Sequence, residues 1–201
     1  MLGLPKSTEL SRLLPKKAIY AKFGLNNAAK ERFDADISRI TIVNEVSPAT
    51  VAIAAGEEVK SFYVLLVSLK RKDFDERLIA QLSRLIEQNM LFVQQYGEDA
   101  KLAVFRGKLI SAGWKKTDAL TVRLDGLDLD AVWQNIIVQI GDVQIEQGKT
   151  LEEQLAIDEK RAKLQKEIDR LEKLARAEKQ PKKKFELVQG IKQLKTMLEE
   201  E

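Results

Sequence analysis

Three tripeptides in this chain have the form acid-x-Lys: Glu58-Val59-Lys60, Asp99-Ala100-Lys101 and Asp158-Glu159-Lys160. On a strand beside an upstream acid, such a triplet lets two carboxylates hold magnesium while the lysine steadies the attacking water, as in a metal-dependent nuclease. Glu45 and Asp36 are the upstream acids available to Glu58. Three features weigh against that chemistry. Glu58 falls in the turn-forming segment Gly56-Glu57-Glu58, and the adjacent core strand ends Ser68-Leu69-Lys70, with no acid where one is needed. Charged residues make up 32% of the chain, so composition alone produces triplets of this form. A second candidate is Lys6-Ser7-Thr8, the residues with which a phosphate-binding loop ends. Such a loop follows a strand and places glycine before the lysine, so that backbone N–H groups curl round the phosphates. Here Pro5, which has no N–H, stands in that place with no strand-forming run ahead of it. The stretch is expected to be an extended arm leading into a helix capped by Ser7.

A third candidate is electrostatic. Net charge is only +3, but from Lys160 to Lys184 eleven basic residues face four acidic ones, and from Met1 to Lys30 six face one. Lys160, Arg161, Lys163, Lys166, Arg170, Lys173 and Arg176 recur along one helical stretch, and Lys182-Lys183-Lys184 follows. Counterion release would let this stripe hold a nucleic-acid backbone. No aromatic residues interleave with it, so base stacking is not expected. A solvated helix face has the same pattern, with pairs such as Glu167 and Arg170 in mutual support. Lys173, Arg176, Lys182, Lys183 and Lys184 are the candidate contacts for a protein partner or for nucleic acid. Trp114, beside Gly113 and Lys115-Lys116, either anchors a partner or covers a sheet edge, and the second is the commoner use.

Other chemistries are excluded by what the chain lacks. It has no Cys and no His, which removes thiol nucleophiles, disulfides, Cys/His zinc sites and the Ser-His-Asp triad. It also removes the side chain best matched to proton transfer near neutral pH. No cofactor or metal is expected. No apolar run approaches the roughly 18–20 residues that cross a bilayer, and the N-terminus has no apolar signal-peptide core; the expected location is the cytoplasm.

These residues need elements to hold them. Ser7 is read as the cap of a helix over Glu9 to Leu14, ended by Pro15. Lys16 to Phe23 reads as a second short helix closed by Gly24, and Asn26 or Asn27 as the cap of a third, carrying Phe33, Ile37 and Ile40 at helical spacing. The period then changes. Thr41 to Val46 and Thr50 to Ala54 read as strands, and the nearly unbroken apolar run from Ser61 to Leu69 reads as a strand covered on both faces. Asp73 with Glu76 suggests a capping box before a helix carrying Leu78, Ile79, Leu82, Leu85 and Ile86. Met90 to Val93 is strand-like again, which completes a βαβ unit. Gly97-Glu98-Asp99 turns the chain into Lys101 to Arg106, Leu120 to Leu124 reads as a further strand, and Asp128 or Asp130 caps a helix through Trp133, Ile136, Ile137 and Ile140. From about Thr150, Leu164, Ile168, Leu171 and Ala175 set a seam that Leu187, Ile191, Leu194 and Leu198 repeat beyond Pro181. The expected architecture is an α/β (α+β) domain over 1–148, with a central mixed sheet, a βαβ unit and flanking helices. An antiparallel helical hairpin, a coiled coil turning near 180–182, is expected over 150–201. So thin a pair packs on its own domain, pairs with a copy of itself or docks on a partner.

Four stretches, in order, resemble a bacterial family, domain-of-unknown-function family 4391. They are Gly3-Leu4-Pro5-Lys6-Ser7-Thr8 with Leu14-Pro15-Lys16-Lys17; Ser47-Pro48-Ala49-Thr50 leading to Gly56-Glu57-Glu58-Val59; Leu69-Lys70 and then Met90-Leu91-Phe92-Val93; and Glu178-Lys179-Gln180 with Lys184-Phe185-Glu186-Leu187. The resemblance brings no catalytic residues. It implies a gene setting beside DNA methyltransferases and helicases of restriction-modification or phage-defence systems, and hence an accessory subunit of such a complex. The expected function is therefore a non-enzymatic adaptor whose hairpin docks onto a methyltransferase or helicase subunit. A magnesium-dependent nuclease or a direct DNA binder is the alternative, and self-association remains open.

Overall fold

The apolar run after Ser61 forms the centre of a mixed sheet. The computed structural model describes residues 2–141 and 149–199, and the chain divides into two compact units, Met1–Val143 and Gln144–Glu201. The described part of the first unit holds strands β1 (Glu9–Leu13), β2 (Ile37–Val46), β3 (Phe62–Leu69), β4 (Asn89–Tyr96), β5 (Asp99–Arg106), β6 (Lys108–Ser111) and β7 (Lys115–Lys116). They form one sheet in the order β1-β2-β3-β4-β5-β6, with β7 paired to β5. Only β3 and β4 run parallel, joined through helix α3 (Arg77–Leu82); the other pairs are antiparallel. The expected βαβ unit is therefore present. Its strands are apolar on both faces because both faces are covered.

One face carries α1 (Lys16–Phe23), α2 (Asn27–Asp36) and α3. Ile19, Phe33, Ile79 and Leu82 from these helices join Ile40, Ile42, Leu65, Val67 and Phe92 from the strands in one buried cluster. The other face is covered by α4 (Leu129–Gly141), whose Trp133 ring meets Phe62 at 5.1 Å. Gly24 closes α1 in the left-handed region at φ 57°, and the Asn26 side chain accepts the Ala29 N–H to start α2. Gly97, at φ 58°, makes the β4–β5 turn without the cost a side chain would add there.

Several elements differ from the sequence expectation. Glu9–Leu13 is an edge strand, not a helix: Lys6–Thr8 form one 3-10 turn, and the next residues pair antiparallel with β2. Ile37 and Ile40 lie on β2, because α2 ends at Asp36. Their i, i+3 spacing suits a helix; on the strand, a register shift between Ile37 and Arg39 lets both side chains join the same core cluster. Thr50–Ala54 makes only an isolated bridge, Ala54 to Asp128, while Thr50 Oγ1 donates to the Glu45 carbonyl at 2.9 Å to close the loop. Leu120 to Leu124 is not a strand; Val122 and Leu120 bury their side chains from an irregular segment whose Val122 N–H donates to Leu2. The capping box at Asp73 and Glu76 is absent. α3 starts one residue past Glu76, and the Asp75 carboxylate accepts the Arg77 N–H instead. Leu85 and Ile86 lie beyond this short helix. Asp128 caps α4 by accepting the Ala131 N–H at 2.9 Å. Asp130 instead clasps the loop before β3, accepting the Glu57 and Val59 N–H groups at 2.6 and 2.7 Å. A side chain at Gly56 would collide with that carboxylate, since its Cβ would fall 2.1 Å from Oδ1. Among the described residues no helix is long and apolar enough to cross a membrane.

One core position breaks the rule that buried polar groups find partners. Gln94 on β4 is fully buried, and neither its amide nitrogen nor its oxygen has a hydrogen-bond partner among the described residues. Its neighbours in register are Val67 on β3 and Lys101 on β5. An unsatisfied buried amide costs about 1–3 kcal/mol. Replacing Gln94 with leucine is thus expected to stabilise the first unit by about 1–2 kcal/mol in urea denaturation, and a destabilised variant would contradict it.

Candidate interaction surface

The second unit is built on a simple sequence logic. Thr150 and Glu153 form a reciprocal capping box: the Glu153 N–H donates to Thr150 Oγ1 at 3.2 Å, and the Thr150 N–H donates to Glu153 Oε2 at 2.8 Å. From there α5 (Leu151–Ala177) runs unbroken. Glu178 to Gln180 connect it to α6 (Pro181–Glu199), where Pro181 takes the first helical position, which needs no N–H. The two helices pack against each other as an antiparallel hairpin. Ile168 and Ala175 on the seam of α5 are buried, Gly190 on α6 approaches Leu171, and Lys195 reaches Glu172 across the pair at 2.8 Å.

The closed end of this hairpin is open and apolar. Leu171, Leu174, Ala177, Leu187 and Gly190 line a groove of about 880 Å³, with Lys179, Lys183 and Glu186 at its edges. Leu174, Phe185 and Val188 are exposed by 47%, 63% and 48%, more apolar surface than a solvated hairpin needs. Charge is distributed unevenly along the pair. On the body of α5, Lys163 pairs with Glu159, Arg170 forks onto Glu167, and Arg176 reaches Glu172 at 3.7 Å. This is the pattern of a solvated face, and such exposed pairs contribute little. Lys173, Lys182, Lys183 and Lys184 are all exposed and make no ion pair among the described residues. Of the five candidate contacts, only Arg176 is thus held by a carboxylate. The apolar groove beside them was not legible as such, because Leu171 and Leu187 read as seam residues that a partner helix would cover along its whole length.

The other candidates, all but one of them in the first unit, are absorbed into the fold. Ser7 Oγ donates to the Thr50 carbonyl at 2.6 Å. Thr8 is buried, donates to the Pro5 carbonyl and accepts from Asn44 Nδ2 at 2.8 Å. Both hydroxyls of the phosphate-loop lookalike are therefore committed to structure. Among the acid-x-Lys triplets, Glu58-Val59-Lys60 lies in the loop that Asp130 clasps, with Lys60 Nζ donating to the Gly56 carbonyl. Asp158-Glu159-Lys160 lies on α5, where residues two apart do not share a face.

Asp99-Ala100-Lys101 is on a strand, β5, with Asp99 and Lys101 on one face. Asp99 accepts Lys72 at 2.6 Å and Lys116 at 3.3 Å, and these ammonium groups hold its carboxyl below the usual range. Lys101 is buried, bonds Glu76, and lies over the rings of Phe74 and Trp114 at 5.5 and 5.4 Å. Trp114 packs against the core cluster. Among the described residues no three acids are grouped to hold a metal. Removing Glu76 would leave Lys101 buried without its partner. Glu76→Ala is expected to cost about 1–2 kcal/mol, at the low end of the charged range because Glu76 is half exposed. Lys101→Met, which keeps the volume and the ring contacts, is expected to be nearly neutral. Equal losses in urea denaturation would contradict this account.

Comparison with known families adds one finding. The model of the family described as Domain of unknown function (DUF4391) matches residues 2–198, nearly the whole chain, and the protein belongs to that family. No curated protein and no solved structure matches it.

Proposed function

We propose that this DUF4391 protein is a non-enzymatic adaptor subunit of a DNA-processing complex of the restriction-modification or phage-defence kind. It docks through the closed end of its α5–α6 hairpin. The observation that carries the reading is the apolar groove between Leu171, Leu174 and Leu187, open to solvent and edged by lysines without ion pairs. Six basic residues against one acid over 173–184 suit a partner helix that brings an apolar stripe flanked by carboxylates. The partner class, a DNA methyltransferase or helicase subunit, rests on the family resemblance. The commitment of the Ser7 and Thr8 hydroxyls and of Asp99 and Lys101 to structural bonds supports a binding role over a catalytic one.

The test is co-purification from the native host with the wild-type protein and with Leu174→Asp/Phe185→Asp. Both positions are exposed, so the fold is kept. The wild type should bring down a methyltransferase or helicase subunit and the variant should lose it. Magnesium-dependent cleavage of DNA by the pure wild-type protein would overturn the reading.

A second reading is favoured by Lys182, Lys183 and Lys184, which make no ion pair among the described residues and could hold a DNA backbone. Direct binding to duplex DNA would weaken steeply with salt and would be lost on charge reversal at these three positions.

A further inference from the structure

Outside the hairpin, arginines from three elements meet over one cleft in the first unit. The cleft lies between α2 and α3 and has a volume of about 400 Å³. Arg32 from α2, Arg71 from the loop after β3, and Arg77 from the start of α3 line it, with Asp36, Asp75 and Leu78. The two acids hold two of the guanidinium groups in place. Asp36, with only 3% of its side chain exposed, accepts Arg71 Nε at 2.5 Å through Oδ1 and the Asp75 N–H at 3.0 Å through Oδ2. Asp75 accepts Arg77 through both Nε and Nη2, at 2.9 and 2.8 Å.

What remains is donor capacity without acceptors. Arg71 is held only through Nε, so both of its terminal nitrogens are unused among the described residues. Arg77 keeps Nη1, and Arg32 makes no ion pair among the described residues. Three arginines against two aspartates leave the cleft with an excess positive charge. Arg77 also holds the Asp75 carboxyl below its usual range, which keeps that acid ionised and its grip on the guanidinium intact at neutral pH.

We propose that this cleft binds the phosphoryl group of a phosphate monoester. A single planar guanidinium fork satisfies a carboxylate, whereas the spare N–H groups of three arginines from separate elements suit the several oxygens of a phosphate dianion. The cleft is larger than a phosphate alone and has an apolar wall at Leu25 and Leu78, which leaves room for the sugar of a nucleotide. The ester is either a free mononucleotide or the 5′-phosphorylated end of a DNA strand. Asp36 acts as a positioning residue: buried, it holds the Arg71 guanidinium through Nε and leaves the two terminal nitrogens for the ligand.

The test is NMR of the arginine Nε–H groups of the full-length protein. The probes are inorganic phosphate, thymidine 5′-monophosphate and a short thymidine oligomer with a 5′-phosphate; thymidine and the 5′-hydroxyl oligomer serve as controls. The signals of Arg32, Arg71 and Arg77 should move with the phosphorylated probes and not with the controls. Arg32→Gln removes no ion pair and should leave the melting temperature unchanged, yet weaken the phosphorylated probes about tenfold, the loss of one charge-assisted contact. Tighter binding of the monophosphate assigns the ester to a free nucleotide, and tighter binding of the oligomer assigns it to a strand end. Arginine signals unmoved by every phosphorylated probe, or an Arg32→Gln variant that binds them as the wild type does, would overturn the site.

Discussion

Phe92→Ala should remove about 3–5 kcal/mol of stability from the first unit, a large share of the roughly 5–15 kcal/mol that such a domain has. Phe92 is fully buried on β4, in register with Leu65 on β3 and Ala103 on β5. Its ring belongs to the cluster on which all three helices of that face converge, through Ile19, Phe33 and Ile79. The small Ala103 beside it is part of the fit, so truncating Phe92 leaves a cavity that neither neighbouring strand can close without breaking its ladder. Urea denaturation monitored at the tryptophans, both of which belong to this unit, reads the loss directly. Phe185→Ala is the control: that ring is 63% exposed, and its removal should change stability by no more than about 0.5 kcal/mol. A Phe92→Ala loss below about 1 kcal/mol would mean that the sheet does not pack as described.

The second large effect concerns binding. Leu174→Asp/Phe185→Asp should lower partner affinity by two orders of magnitude or more, on the scale of about 1.4 kcal/mol per tenfold. Leu174 lines the groove and Phe185 stands exposed on α6 near its edge. A carboxylate at either place sets a charge against the apolar stripe of the partner and, on the proposed partner chemistry, faces its acids. Circular dichroism should show the hairpin still helical, since neither side chain is buried. Substituting Leu171 and Leu194 instead would confound the result, because Leu171 also meets Gly190 within the pair. Unchanged affinity in the Leu174/Phe185 variant would remove the hairpin from the interface.

The parts of the fold that could be read from the sequence are those where one physical signal dominates. The run Phe62–Leu69, apolar on both faces, left no reading but a covered strand, and the following helix and strand then had to form a βαβ unit. Gly24 and Asn26 mark helix ends by backbone chemistry that packing does not override. Pro181 marks the hairpin turn in the same way. The misreadings occur where local and tertiary preferences compete. Glu9–Leu13 has a helical composition and a good cap in Ser7, but β2 offers an unpaired edge and takes it as a strand. Leu120 and Val122 alternate like a strand, yet they are buried from an irregular segment whose Val122 bonds Leu2 and whose Arg123 backbone bonds the Gln139 side chain, with no strand beside it among the described residues. The proposed binding surfaces were legible by type rather than by place. The basic residues were visible as a stripe, but which of them are paired among the described residues depends on which acids lie one helical turn away. The arginine cleft had no linear signal at all: Arg32, Arg71 and Arg77 meet only because α2 and α3 pack on one face of the sheet.

The central claim is that the closed end of the hairpin is a docking site for a DNA-processing partner. The most direct test is quantitative co-purification from the native host at moderate salt, comparing wild type with Leu174→Asp/Phe185→Asp at matched expression. The account predicts that a methyltransferase or helicase subunit accompanies the wild type in near-stoichiometric amount and is absent from the variant. Equal recovery with both proteins, or a wild-type protein that comes down alone, would contradict it.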